Sequence, residues 1–163
     1  MAGRYVALLR AISNVSMAPF RAALEELGYT GVTSFGMSGN LAFTANGGTV
    51  AEMERRIGAA LNTVAIVRTV AELKRAAADN PFRDTGGSAV FFLARAPSAA
   101  TRKAFLALDL NQEPLLRART LYFRHPLTLQ GKRAPLDIEK RLGVTGTARS
   151  SNVVERLAAL GDG

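Results

Sequence analysis

VTSFGMSGNLAFTAN, residues Val32–Asn46, is the stretch that decides the fold. It contains two short segments typical of β-strands, VTSFG and NLAFTAN, separated by Met37–Gly39. A helical pattern precedes the stretch and another follows it. The sequence therefore predicts two adjacent strands joined by a turn and placed between two helices. We expect Gly39 and Asn40 to take positive φ in that turn, since glycine and asparagine tolerate this region.

The flanking helices carry start and stop signals. The first is predicted to have Ser16 as its N-cap, Pro19 in its first turn and Gly28 at its end. Thr49 and Glu52 form a capping box for the second. The strand patterns RYVALLRA before the first helix and TVAIVR after the second complete the order strand, helix, strand, strand, helix, strand. This is the ferredoxin-like order, with two helices on one face of an antiparallel sheet.

The rest of the chain repeats this order of strands and helices less clearly. A further helix, with a capping box at Thr69 and Glu72, is expected after residue 69. Strands are expected at residues 88–94, 115–119 and 120–125, and helices at residues 98–108, 135–142 and 151–160. Residues 79–87 are the expected joint between the halves. The predicted organisation is one compact α+β unit made of halves 1–80 and 81–163.

Composition excludes several function classes. The 163 residues are 48% hydrophobic and contain no cysteine, so disulfides, thiolate zinc sites and a cysteine nucleophile are absent. The apolar run Tyr5–Leu9 is too short for a signal-peptide core or a membrane span. We expect a cytoplasmic protein without a membrane partner. The net charge is +8, and residues 117–149 hold eight basic residues against two acidic ones. Such a basic surface either attracts phosphate-rich partners or only keeps the protein soluble.

Ser38 does not fit a catalytic or cofactor-binding motif. A nucleophile elbow requires G-x-S-x-G between a strand and a helix, whereas here the second glycine comes one position early and a strand follows. Neither glycine-rich phosphate motif occurs, although a tight turn at Met37–Asn40 can still hold an anion through its N–H groups. His125 is the only histidine, and the carboxylates are not clustered, so no metal ligand set is predicted. We expect no cofactor.

Two segments of the second half can recognise anions. Arg117, Arg119 and Arg124 surround Tyr122 in RARTLYFRH, a mixture used to stack on single-stranded nucleic acid. Alternation along a strand allows only one of the neighbouring aromatic rings, Tyr122 or Phe123, to join such a platform.

The second segment is ARSSN. Arg149 and Asn152 lie at a predicted helix start, where a guanidinium, hydroxyls and free N–H groups can converge on an anion. Alternatively a serine, or Asn152 paired with Glu155, is simply the N-cap of that helix.

Three separated segments, YVALLRAISN, MAPFRAALEELGYTGVTSFGMSGNLAF and TGTARSSNVVERLAAL, resemble the bacterial family named domain of unknown function 1697. The resemblance implies two tandem ferredoxin-like halves and brings no established activity, cofactor or substrate. The recurring polar positions of the family correspond to Arg10, Ser38–Asn40, Thr147, Arg149 and Asn152. The chain departs from the family in the short loop after Arg10 and at Ser150 and Ser151, where the family often has Asn and Trp.

The expected function is non-catalytic binding of an anionic ligand or partner. The predicted ligand residues are Arg10, Ser38, Asn40, Arg149 and Asn152. Nucleic-acid binding through residues 117–149 is the first alternative, and an enzyme of unrecognised type is the second. The sequence does not indicate an oligomeric state.

Overall fold

The computed structural model describes residues 2–124 and 126–160. The first seven elements follow in chain order: β1 (Ala2–Leu9), α1 (Ala18–Glu26), β2 (Thr30–Ser34), β3 (Asn40–Asn46), α2 (Val50–Leu61), β4 (Ala65–Thr69) and α3 (Val70–Ala78). The next seven are β5 (Ala89–Leu93), α4 (Ala99–Leu106), β6 (Leu115–Arg117), β7 (Thr120–Phe123), α5 (Ile138–Leu142), β8 (Gly146–Ser150) and α6 (Ser151–Ala159). No helix in this part of the chain is long and apolar enough to cross a membrane.

The strands form two four-stranded antiparallel sheets with the same topology. Their orders are β2-β3-β1-β4 and β6-β7-β5-β8. In both sheets the first strand of the βαββαβ unit is central and the fourth is at an edge, which is the ferredoxin-like arrangement. The predicted α+β class with two ferredoxin-like halves is confirmed.

The chain divides into two compact units. One contains the described residues up to Arg75 together with those from Glu155 onward, and the other is Ala76–Val154. The boundary predicted between residues 80 and 81 stays a prediction.

The core of the first unit lies between its sheet and helices α1 and α2. The core residues are apolar side chains from alternate strand positions and from the inner helix faces: Ala7, Leu9, Leu24, Leu41, Phe43, Met53, Ile57 and Val67. Thr49 caps α2 as predicted, since its hydroxyl accepts from the Glu52 N–H at 3.1 Å. The capping box of Thr69 and Glu72 at α3 is also confirmed.

The core of the second unit is built in the same way. It contains Leu93, Phe105, Leu116, Leu121, Phe123, Leu127, Leu142 and Val144. The hydroxyl of Ser98 caps α4 by accepting from the Thr101 N–H at 3.2 Å, as predicted.

Two predicted helix starts are wrong, and one strand was not predicted. The N-cap of α1 is Met17 rather than Ser16, whose hydroxyl instead accepts from the Ala18 N–H at 3.3 Å. Helix α5 begins at Ile138 and not at residue 135, because the Asp137 carboxylate caps it by accepting from the Lys140 N–H at 3.1 Å. Strand β8 was not predicted at all. It pairs with β5 along its whole length, with Arg149 opposite Val90.

Candidate functional site

The turn between β2 and β3 is closed by Asn40. Its Nδ2 donates to the carbonyl oxygen of Phe35 at 3.1 Å, and the Phe35 N–H donates to the carbonyl oxygen of Asn40 at 3.1 Å. The left-handed glycines are Gly36 (φ 67°) and Gly39 (φ 76°). The expectation of a positive φ at Asn40 is therefore wrong, because Asn40 is already the first residue of β3. It closes the turn through its side chain instead.

Gly39 lies against the end of β1. The Leu9 N–H donates to the Gly39 carbonyl at 2.8 Å. A Cβ at position 39 would lie 2.8 Å from the Cβ of Leu9, a separation that real Cβ atoms essentially never show. The neighbouring Ser38 is exposed, and the chain continues into a strand. The turn thus lacks the strand-to-helix geometry that a nucleophilic serine requires.

Arg10 follows β1 directly and lies at the same end of the sheet as the 36–39 turn. Its N–H donates to the carbonyl oxygen of Val64 at 2.9 Å, and its carbonyl oxygen accepts from the Thr63 hydroxyl at 2.9 Å. The side chain is half-buried. The first sheet thus brings three predicted ligand residues, Arg10, Ser38 and Asn40, to one end.

A cleft in the second unit contains the other predicted ligand residues. Its volume is about 380 Å³, and Arg149 and Asn152 line it. The remaining lining comes from residues 83–89, which connect α3 to β5, and from residues 148–151. Since β8 leads directly into α6, the cleft is also bounded by the N-terminus of that helix.

Arg149 is the buried cation of this cleft. Only 7% of the residue is exposed, and burial lowers the pKa of its guanidinium to about 10. Its Nη1 donates to the hydroxyl of Thr147 at 2.7 Å and to the carbonyl oxygen of Ala148 at 2.8 Å. Thr147 and Arg149 are two residues apart on β8 and so share one face of the sheet. At neutral pH the guanidinium is still charged, so a positive charge is held in a largely dehydrated position.

Beside Arg149 is a network of buried hydroxyl and amide groups. The hydroxyl oxygens of Ser88 and Ser151 are 2.6 Å apart, and the Asn80 Nδ2 donates to the Ser151 hydroxyl at 3.0 Å. The Asn80 Oδ1 accepts from the Phe82 N–H at 2.9 Å. Asn80, Ser88 and Ser151 are each at most 5% exposed. This network fixes the start of α6 against the 83–88 segment and so shapes the cleft.

The cap of α6 is a serine, which was one of the two alternatives considered. The Val153 N–H donates to the Ser150 hydroxyl at 3.3 Å. Asn152 is exposed at the rim of the cleft. A serine cap and a cleft beside it are therefore both present at this helix start.

The arginines predicted to bind nucleic acid differ in their exposure to solvent. Arg117 and Arg124 are exposed and Arg119 is half-buried. The Arg117 Nη1 lies 3.5 Å from the Asp79 carboxylate, and the Arg124 guanidinium lies 5.0 Å from the Phe82 ring centre.

Tyr122 is buried, with 2% of the residue exposed, and Phe123 on the other face is buried as well. The Tyr122 hydroxyl donates to the carbonyl oxygen of Ala76 at 3.0 Å. Its pKa is raised to about 12, chiefly by burial and then by the Asp79 carboxylate, while Arg117 opposes the shift. The sequence allowed at most one of these two rings to join a stacking platform, and the structure buries both.

Within residues 2–124 and 126–160, no group of three or more His, Asp or Glu side chains could hold a metal ion. His125 lies outside the described residues.

The five predicted ligand residues are divided between the two units. Arg10, Ser38 and Asn40 belong to the first, and Arg149 and Asn152 belong to the second. Their convergence on a single ligand stays a prediction.

Sequence reasoning missed a second buried arginine. Arg68 is 3% exposed and lies opposite Val6 in the first sheet, where Arg149 lies opposite Val90 in the second. Its Nε is 3.7 Å from the Glu72 carboxylate. Both arginines are the penultimate residues of the fourth strand of their sheet, and both are followed by a nine-residue helix. The sequence contains one signal for this correspondence: VRTV at residues 67–70 and ARSS at residues 148–151 both place an arginine two residues before the start of a helix.

The comparisons with known proteins agree with this fold. Residues 2–122 match the family described as Protein of unknown function (DUF1697). The chain is also similar to a solved structure, the conserved bacterial protein SP0830 from Streptococcus pneumoniae. The TM-score is 0.70 at 16% identity, covering 98% of this chain and 99% of that one. At this identity the likeness shows the fold alone. No curated protein matches the sequence. Since the family match covers most of its length, the chain belongs to the family of domain of unknown function 1697.

Proposed function

We propose that the protein binds an anionic ligand through a carboxylate or phosphate group in the cleft at Arg149. The observation that carries the proposal is the guanidinium of Arg149, buried to 7% exposure yet lining a cavity of about 380 Å³. Burying a cation is costly unless hydrogen bonds and an opposite charge compensate it. Two of the hydrogen bonds of this guanidinium, to the Thr147 hydroxyl and the Ala148 carbonyl oxygen, hold the charge at the wall of the cleft.

The cleft has the chemistry for a compact anion. An arginine fork fits a carboxylate or phosphate, and the side-chain amide of Asn152 at the rim of the cleft adds a donor. Arg83 contributes a second cation to the lining, and Asp84 contributes a carboxylate. Since the Asp84 charge repels negative groups, we expect a small ligand with one anionic group rather than a polyanion. The proposal involves binding only and includes no reaction.

Thermal-shift measurements with inorganic phosphate and with small phosphorylated and carboxylated metabolites test this proposal. A ligand at a hundred times its dissociation constant stabilises the folded state by about 2.7 kcal/mol. For a chain of this size, this free energy corresponds to a rise in Tm of roughly 5–11 °C. We expect Arg149→Gln to abolish the shift and Arg149→Lys to weaken it, because lysine keeps the charge and loses the fork.

The matched control is Arg133→Gln, which makes the same charge change at an exposed arginine outside the cleft. A ligand shift equal in wild type and Arg149→Gln would contradict the proposal. Arg10→Gln is measured in parallel, and a reduced shift there would add Arg10 to the ligand contacts.

A cytoplasmic location is part of this proposal, since a chain without cysteine suits a reducing compartment. The nucleic-acid alternative is tested with single-stranded oligonucleotides in a salt series. If their affinity falls steeply with salt and falls further in Arg117→Ala/Arg119→Ala, that alternative replaces the anion proposal.

A further inference from the structure

The second unit contains a groove formed by α5 and the loop that precedes it. Its volume is about 670 Å³, larger than that of the Arg149 cleft, and the two have no lining residue in common. Leu129, Ala134, Pro135 and Leu136 supply its apolar surface. We name this feature the 129–141 groove.

Three cations surround the apolar part of the 129–141 groove. Lys132, Lys140 and Arg141 line it, and all three are exposed. None of these side chains forms a hydrogen bond or ion pair with any residue that the structure describes. Their charges are therefore available to a partner.

Two carboxylates of the same segment accept hydrogen bonds from the backbone. The Asp137 Oδ1 accepts from the Lys140 N–H at 3.1 Å, and the Glu139 Oε2 accepts from the Gly146 N–H at 3.2 Å. Both carboxylates hold α5 and the strand after it in place. The lining holds three cations against the single carboxylate of Asp137, so the groove has a net positive charge.

Backbone hydrogen bonds fix the loop that forms the groove. Leu129 pairs with Leu110 in an isolated antiparallel bridge. The Gln130 N–H donates to the Asp109 carbonyl at 2.8 Å, and the Leu136 N–H donates to the Leu127 carbonyl at 2.6 Å. A loop held in this way loses little conformational freedom when a partner binds, which favours association.

We propose that the 129–141 groove binds an acidic peptide segment of a partner protein. One aliphatic side chain of the segment packs on Leu129, Pro135 and Leu136, and its flanking carboxylates pair with Lys132, Lys140 and Arg141. A peptide fits better than a nucleic acid, because no lining residue among those that the structure describes has an aromatic ring on which a base can stack. The inference is independent of the anion proposal for the Arg149 cleft.

The test measures fluorescence anisotropy of a short fluorescein-labelled peptide with a central leucine flanked by glutamates. We expect the affinity to fall about tenfold or more when serine replaces the leucine, because leucine burial drives that contact. We expect a loss of about tenfold in the variant Lys140→Ala/Arg141→Ala, which removes the paired cations. Arg55→Ala/Lys103→Ala is the matched control, since it removes two exposed cations outside the groove and should leave the affinity unchanged.

Several results would overturn the inference. These are the absence of peptide binding, equal affinity for the leucine and serine peptides, and equal losses in the groove variant and its control. Tighter binding of an oligothymidine of matched charge would assign the groove to nucleic acid instead.

Discussion

Substitution of Gly39 by alanine tests how the 36–39 turn is held against β1. Gly39 has a φ of 76°, in the left-handed region that costs other L-residues about 1–2 kcal/mol. The added Cβ would also lie 2.8 Å from the Leu9 Cβ and 3.1 Å from the Ile12 Cβ. A Cβ cannot swing aside as the end of a side chain can, so relief requires movement of the backbone, either of the turn or of β1.

Gly36→Ala is the matched control within the same turn. Gly36 has a φ of 67°, and a Cβ placed there would meet nothing within 4 Å. The control therefore includes the backbone strain of about 1–2 kcal/mol without the clash. Overpacking at Gly39 adds about 1–3 kcal/mol, giving a loss of about 2–5 kcal/mol for Gly39→Ala.

Urea denaturation followed by circular dichroism measures both variants. We expect both to unfold at lower urea than wild type, with Gly39→Ala less stable than Gly36→Ala by about 1–3 kcal/mol at an unchanged m-value. Equal losses in the two variants would refute the argument from the Leu9 contact. A loss only in Gly36→Ala would mean that the turn has a different conformation in solution.

Two further predictions concern a helix cap and a buried phenol. Thr49→Ala removes the acceptor of the Glu52 N–H and should lower the free energy of unfolding by about 1 kcal/mol, and with it the thermal midpoint. The control is Ser13→Ala, which changes an exposed serine in a loop and should leave the thermal midpoint unchanged. The pKa of Tyr122 is raised to about 12, so its neutral form stabilises the fold below pH 10, and this contribution is lost as the pH rises toward 12. The tyrosinate absorbance step near pH 12 should be missing in Tyr122→Phe. In Asp79→Asn the step should move to lower pH, because the Asp79 carboxylate opposes formation of the phenolate. An unchanged step in Asp79→Asn would show that burial alone raises the pKa of Tyr122.

The first unit could be predicted from sequence because its local signals agree with each other. Strand β3 has the predicted bounds, Asn40–Asn46, and the caps at Thr49 and Thr69 are found where the residues indicate them. Apolar alternation, capping boxes and turn glycines all specify the same order of elements, so tertiary packing has little to override.

Strand β8 could not be recognised from its own composition. GTARS has no apolar alternation, since the residues buried on one face are Thr147 and Arg149. Gly146 is required there for packing, because a Cβ would lie 2.6 Å from the Phe92 carbonyl oxygen. The signals were the repeated order of elements, which requires a fourth strand after α5, and the likeness of ARSS to VRTV at the end of β4.

The candidate site was harder to predict than the fold. Arg149, which lines the cleft, was among the predicted ligand residues, but the cleft wall formed by residues 83–89 was not predicted, because those residues are distant in sequence and have ordinary turn composition. The buried position of Tyr122 also escaped prediction, since a tyrosine in a basic strand suits a stacking surface and a core equally well.

Helix α6 is divided between the two units, because the boundary falls between Val154 and Glu155. This division has a consequence for folding during synthesis. The first unit takes its final segment from residues that begin at Glu155, after the whole of Ala76–Val154 in the chain. Domains usually fold in the order in which they leave the ribosome. Here the earlier unit has to wait for the later one to be translated before its last helical segment arrives. The nascent chain therefore carries the complete β1–β4 sheet without the final segment of its unit while residues 76–154 are being made.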